Sequence, residues 1–254
     1  MAIRLTVEDY RADILLDRPE VLNAMNWEVF EALDRVTAEL EERDDVRVVV
    51  VSGAGRSFSS GIDTTTFGDA QPLGDLIARA QAGFRRLEAL PIPTIAAVRG
   101  HAYGAGMQLA LVCDLRVVAA DARLGLLEAK YGLIPDLGGT HRLPALAGPG
   151  VAKQMMWFAE RIDGAEAHRR KIAEVTAEPD ELASVVDDLA RRLVAAPPLV
   201  VRDVKRLVHR AAESTFAEAM DEVASAQERI MASHDFAEAI TAFMEGRDPR
   251  FRGA

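Results

Sequence analysis

Short apolar runs divided by polar stretches fill the front of the chain, and apolar residues at helical spacing fill the rear. Ile3 to Val7 and Arg11 to Leu16 predict two strands, with Glu8-Asp9-Tyr10 as a hairpin turn. Pro19 stops the second run, and Asp17 to Asn23 reads as a loop. Asn26 is placed to cap a helix with apolar positions Val29, Phe30, Leu33, Val36 and Leu40. Val46 to Val51 is nearly all β-branched, the pattern of a strand buried on both faces. After a loop from Gly68 to Gly74, Leu76 to Leu90 predicts an amphipathic helix, ended by Pro91 and Pro93. Thr94 to Val98 and Leu115 to Ala119 read as buried strands, and Ala105 to Cys113 between them as an apolar helix that stops at Asp114. Gly125 to Gly139 is irregular. Thr140 to Leu146 and Val151 to Phe158 predict helices parted by Gly148-Pro149-Gly150.

From Asp180 the pattern is helical: Leu182 to Val194, Val200 to Ala212, Glu213 to Ala232 and Asp235 to Glu245, with Pro197-Pro198 the clearest boundary. The expected architecture is α/β, with a mixed core over 1–196 and a helical region over 197–254.

The 254 residues are 49% hydrophobic, enough for a full core. A net charge of −10 argues against a nucleic-acid or anionic-membrane partner. The N-terminus carries charges throughout, and no apolar run approaches the length of a membrane span. The single cysteine, Cys113, sits in an apolar helix and fits a reducing compartment, so a cytoplasmic location is expected. Five histidines show no metal-ligand spacing, and no metal is expected.

The densest chemistry lies in Gly100 to Asp114, GHAYGAGMQLALVCD. A buried strand runs into glycines and then into a helix, a geometry that aims N–H groups and a helix dipole at an anion. Three readings are open. The stretch is a packed glycine turn; or it begins a dinucleotide fingerprint, which fails where Leu109 replaces the third glycine; or it is half of an oxyanion hole, which needs a second donor. Phe58-Ser-Ser-Gly-Ile-Asp63 is another glycine turn just past a buried strand. Gly55-Arg-Ser57-Phe-Ser59 misses the G-x-S-x-G nucleophile elbow at its last position.

Phe58 to Asp63, Gly100 to Ala110, Cys113-Asp114, Glu128 and Gly132 to Leu143 occur in an order that resembles the crotonase superfamily, the enoyl-CoA hydratases and isomerases. Arg18 to Ala24 and Ala242-Phe-Met-Glu245 fit as well. The resemblance implies a spiral of ββα units with a helical C-terminal region for trimerisation, often as a dimer of trimers. It places the two oxyanion N–H donors at Ile62 and Ala105. It lays coenzyme A, as part of the substrate rather than a cofactor, along Val21, Leu22, Ala24, Ser60, Ile62 and Asp63, with Phe243 closing over it. Gly246 stands where relatives often carry a lysine, leaving Arg247 and Arg250 as the nearest cations.

Two glutamates serve hydratases of this family. One position is Glu128; the other is Gln108, whose amide can hold a water but cannot take its proton. Asp136 stands where dienoyl-CoA isomerases of the family carry an aspartate. The first expectation is therefore double-bond migration in an enoyl- or dienoyl-CoA of fatty-acid metabolism, with Glu128 as main base and Asp136 assisting. The alternatives are a hydratase working with Glu128 alone and a non-catalytic acyl-CoA-binding protein. Without the resemblance, Glu128 pairing with Lys130 or Arg142 and Asp136 capping a helix would be the simpler expectation. Phe67, Tyr103, Met107, Tyr131 and Trp157 are candidates for shaping an acyl pocket.

Overall fold

The computed structural model describes residues 2–68 and 73–254, without the side chains of residues 67, 68 and 73. The middle of the expected Gly68–Gly74 loop and the Phe67 side chain thus lie outside the described residues.

The predicted hairpin forms from β1 (Ile3–Glu8) and β2 (Arg11–Leu16), paired antiparallel. β3 (Val48–Gly53), β4 (Thr94–Val98), β6 (Leu115–Ala119) and β9 (Val175–Ala177) extend it in parallel into a six-stranded sheet of order β1-β2-β3-β4-β6-β9. β3 lies two residues later than its β-branched run, because Arg47 N–H bonds Tyr10 O and the ladder then carries Ser52 and Gly53 opposite Leu15 and Leu16. A second sheet, β5 (His101–Tyr103), β7 (Arg123–Gly125) and β8 (Ile162–Asp163), has order β5-β7-β8. Its strands are too short for a period-2 pattern to show in the sequence.

α1 (Trp27–Glu41) starts where expected: Asn26 Oδ1 accepts from Val29 N–H at 3.1 Å, and Val29, Phe30, Leu33 and Leu40 are buried. It packs against α2 (Leu73–Ala89). α3 (Ala105–Val112) is buried at all eight positions, so it is an apolar axle with one polar residue, Gln108. α4 (Gly139–Trp157) joins the two expected helices, with the chain turning at Gly148 (φ 79°, ψ 159°). Pro149 follows that turn as the first residue of a new helical segment, where its missing N–H costs nothing.

α5 (Gly164–Arg169) opens the charged stretch His168 to Lys171: Arg169 and Arg170 pair with Glu166, and Arg170 with Glu160. Lys171 just beyond has φ 65°, the left-handed conformation glycine usually supplies. α6 (Leu182–Ala195) completes the core. α7 (Pro198–Ala211), α8 (Phe216–Met231) and α9 (His234–Glu245) form the helical rear. α8 starts three residues later than its pattern because Thr215 and Glu218 form a capping box.

The rear region leaves large apolar groups in solvent within one chain. Val204, Val208, Phe216, Met220, Ile240, Phe243 and Met244 are all exposed. α7 is held to the sheet by a buried ion pair, Lys205 Nζ to Asp114 Oδ2 at 2.7 Å. Among the described residues no helix is long and apolar enough to cross a membrane.

Candidate active site

Three segments converge at the N-terminal end of α3. The first, Val21 to Met25, is shaped by Leu22 and Asn23, both at positive φ (55° and 56°). Asn23 tolerates this conformation, and its buried amide donates to Ala54 O at 2.9 Å and Ser57 O at 2.7 Å. The second segment, Ser60 to Asp63, is stitched to the first: Ser60 N–H to Leu22 O, Ser60 Oγ to Val21 O, Met25 N–H to Gly61 O and Asp63 N–H to Met25 O. Arg18 closes the pair by an ion pair to Asp63 at 3.0 Å. Asp63 also accepts from the Thr65 hydroxyl and N–H, and these bonds hold its carboxyl below the ordinary range, the behaviour of a turn-shaping residue. Val21, Leu22, Ala24, Ser60, Ile62 and Asp63 therefore lie in two segments joined side by side, with Ala24 buried.

The third segment is the Gly104–Ala105 turn. Ser59 and Ala102 form a parallel bridge that brings it beside the second. A side chain on Gly106 would strike Ser59, its ideal Cβ falling 2.7 Å from Ser59 Cβ, so glycine is required for this approach. Gly61 (φ 106°) is equally tight, its ideal Cβ falling 2.9 Å from Tyr103 O and 3.9 Å from Ala105 N. Among the described residues, the N–H groups of Ile62 and Ala105 have no hydrogen-bond acceptor. Ala105 is also the first residue of α3, at the positive end of its dipole.

Glu128 sits over this turn. Its Oε1 lies 3.4 Å from where a Cβ on Gly104 would be. It begins a 3-10 turn (Glu128–Tyr131), and Lys130 and Arg142 are not its partners. Its Oε1 accepts instead from Gln108 Nε2 at 2.8 Å, while among the described residues the buried Oε2 has no hydrogen bond. Burial and, more weakly, the nearby Asp136 charge push the Glu128 carboxyl above its ordinary range. Asp136 is likewise pushed up by burial. It does not cap α4, whose first turn has no side-chain cap. Its backbone carbonyl accepts from Gln81 Nε2 at 2.6 Å.

Gln108 is not turned to solvent. It is 1% exposed, and its Oε1 accepts from Leu137 N–H at 2.7 Å and Gly139 N–H at 3.0 Å. Sequence reading missed these contacts because they join residues about thirty positions apart. It also missed a bond of 2.9 Å between Ser57 Oγ and His101 Nδ1. Ser57 is 1% exposed, so this pair braces a loop and offers no accessible nucleophile.

Phe243 stands apart from the three segments, 86% exposed on α9, which packs on α8. Arg247 is engaged by Glu238 and Glu245. Of the residues expected to shape an acyl pocket, Met107 is fully buried, Tyr103 packs against His101 and under Arg161, and Tyr131 and Trp157 are exposed. Among the described residues there is no cluster of three or more histidine, cysteine, aspartate or glutamate side chains placed to hold a metal ion.

Comparisons with known proteins bear on the family and the fold. A family model described as enoyl-CoA hydratase/isomerase matches residues 10–254. The chain is 34% identical to the short-chain-enoyl-CoA hydratase of Clostridium acetobutylicum, covering 93% of this chain and 92% of that protein. It is 35% identical to the crotonyl-CoA hydratase of Syntrophomonas wolfei, covering 98% and 97%. A Thermobifida fusca protein solved in complex with acetoacetyl-CoA is 38% identical, with a TM-score of 0.86 over 91% of this chain and 95% of that one. The two curated relatives are named hydratases, which supports the hydratase alternative better than the isomerase reading preferred from Gln108 and Asp136. With the crotonase fold and the ordered turns in place, the chain belongs to the enoyl-CoA hydratase/isomerase family.

Proposed function

We propose that the protein adds water to a 2-enoyl-CoA thioester, with Glu128 as the only carboxylate handling the water. The observation that carries this reading is the Glu128 carboxyl held over the Gly104–Ala105 turn with one oxygen free of partners. In this scheme the thioester oxygen accepts from Ile62 and Ala105 N–H. Glu128 takes a proton from water as the hydroxyl oxygen bonds to C3. The C2–C3 π electrons move to make the enolate, the two N–H donors hold its oxygen, and Glu128 returns the proton to C2. Two preorganised donors suit a charge that exists only during reaction, and losing one typically costs about 3 kcal/mol of barrier. The coenzyme A portion would lie along Val21, Leu22, Ala24, Ser60 and Asp63.

Asp136 favours a second reading. It lies near enough to act on Glu128, and both carboxyls are pushed up by burial. Such a pair suits taking a proton from C2 of a 3-enoyl-CoA and delivering one to C4, which moves the double bond without water. The test is incubation with 2-enoyl-, 3-enoyl- and 3,5-dienoyl-CoA, with products resolved by mass and absorbance. A gain of one water supports hydration. Unchanged mass with a moved double bond, reduced in Asp136→Asn, supports migration instead. Tight acyl-CoA binding without turnover would leave only a binding protein.

The same reading takes residues 197–254 as an assembly region. Val204 and Val208 on α7 and Phe216 and Met220 on α8 expose apolar surface that a closed trimer or hexamer would bury, with Phe243 brought to a neighbouring site. Light scattering at micromolar concentration should give three or six chain masses; a monomer would refute this part.

A further inference from the structure

We propose that Gln108 is a positioning residue: its amide locks Glu128 by one oxygen and ties it to the loop bearing Asp136, leaving Oε2 as the oxygen that exchanges protons. The inference rests on the acid–base role proposed for Glu128. Gln108 is the one polar side chain of α3, and a buried amide is costly unless its groups are bonded. Two backbone N–H donors meet one end, so that end is the oxygen and the other is the donor. That donor reaches Glu128 Oε1, and among the described residues no other side chain bonds the carboxyl. Gly139 makes the arrangement possible, since a Cβ there would press to 3.0 Å from Gln108 Oε1. One amide thus joins α3, the 3-10 turn and the start of α4. Among the described residues the charged group acting on Glu128 is Asp136.

A glutamate at position 108 behaves differently. It would keep accepting from Leu137 and Gly139 N–H, but its other oxygen would face Glu128 Oε1 at the distance now spanned by the amide. The two carboxyls would share a proton and titrate as a pair. A methionine of similar length would lose both the donor and the acceptor. The glutamine therefore keeps Glu128 responsive to a single neighbouring charge.

The test needs no knowledge of the substrate. Protein labelled with carbon-13 at glutamate carboxyls is titrated by NMR, with the Glu128 signal identified by its loss in Glu128→Gln. In Gln108→Met the Glu128 midpoint should rise, because a donor to the anion is lost. In Gln108→Glu the signal should titrate in two coupled steps. Gln108→Glu keeps an oxygen to accept from the Leu137 and Gly139 N–H groups, so it reports even where Gln108→Met does not fold. An unchanged midpoint in the folded variants would overturn the inference. Kinetics on a four-carbon 2-enoyl-CoA add a second readout: Gln108→Met should lower kcat about ten- to a hundredfold with KM little changed. Full turnover by Glu128→Gln would overturn the acid–base role, whatever the titration of Gln108 variants gives.

Discussion

Two partly buried carboxylates stand at the two ends of α3, and their surroundings are opposite. Asp114, just past the C-terminal end, is surrounded by donors: Thr94 N–H and hydroxyl, Lys205 Nζ at 2.7 Å and His209 Nε2 at 3.5 Å. Burial alone raises its carboxyl, but His209, Lys205 and Thr94 outweigh it, and the group sits below its ordinary range. Glu128, at the N-terminal end, has one donor and one bare oxygen, and it sits above its range. Burial is common to both, so the donors and the sign of the neighbouring charge decide the direction. Asp114 stays charged and holds α7 to the sheet, whereas the surroundings of Glu128 suit the proton exchange proposed for it. A bare buried oxygen costs stability and is kept where chemistry uses it.

The sharpest way to break this contrast is to remove each charge in turn. Glu128→Gln should lower kcat by about two to four powers of ten while acyl-CoA binding persists, measured by steady-state kinetics and by titration of an unreactive acyl-CoA. Asp114→Asn should do the reverse. It strands Lys205, whose side chain is only 7% exposed, and should cost about 3–5 kcal/mol in denaturant unfolding, with kcat per folded site nearly unchanged. The smallest effect is the most diagnostic. Glu128→Gln removes a poorly solvated charge and should raise stability at neutral pH by about 1 kcal/mol.

The pH dependence of that gain follows from the signs. Folded Glu128 holds its proton more tightly than the unfolded chain does, so its ionisation erodes stability as pH rises from 4.5 through the folded value. The gain in Glu128→Gln should vanish below pH 4.5. Asp114 contributes stability above its unfolded value of 3.8 and loses it as pH falls through its lower folded value, so the Asp114→Asn penalty should shrink only in acid.

Most of the frame was legible along the chain. Thr94–Val98 and Leu115–Ala119 are single apolar runs long enough to be read, and α3 begins at the residue its glycine turn implies. The strands of two or three residues, β5, β7, β8 and β9, carry no period and exist only through their partners. α5 hid behind a charge run whose arginines face Glu160 and Glu166, and Lys171 holds the turn that glycine would announce. At the site, the ordered glycine turns and Glu128 could be found from motifs. The work of Gln108 could not, since Leu137 and Gly139 meet it through folding alone. A residue that motif comparison marks as a lost base is, in the folded chain, a strut bonded at both ends of its amide.

Glu128, and not Asp114, is the carboxylate proposed to move a proton during turnover. The direct measurement is kcat/KM against pH for wild type, Asp114→Asn and Glu128→Gln on the thioester that the wild type turns over best. Wild type should show a rise with a midpoint above the ordinary glutamate value of 4.5, Asp114→Asn the same midpoint, and Glu128→Gln loss of that limb together with activity. A Glu128→Gln variant with wild-type turnover, or a midpoint that moves with Asp114, would contradict it.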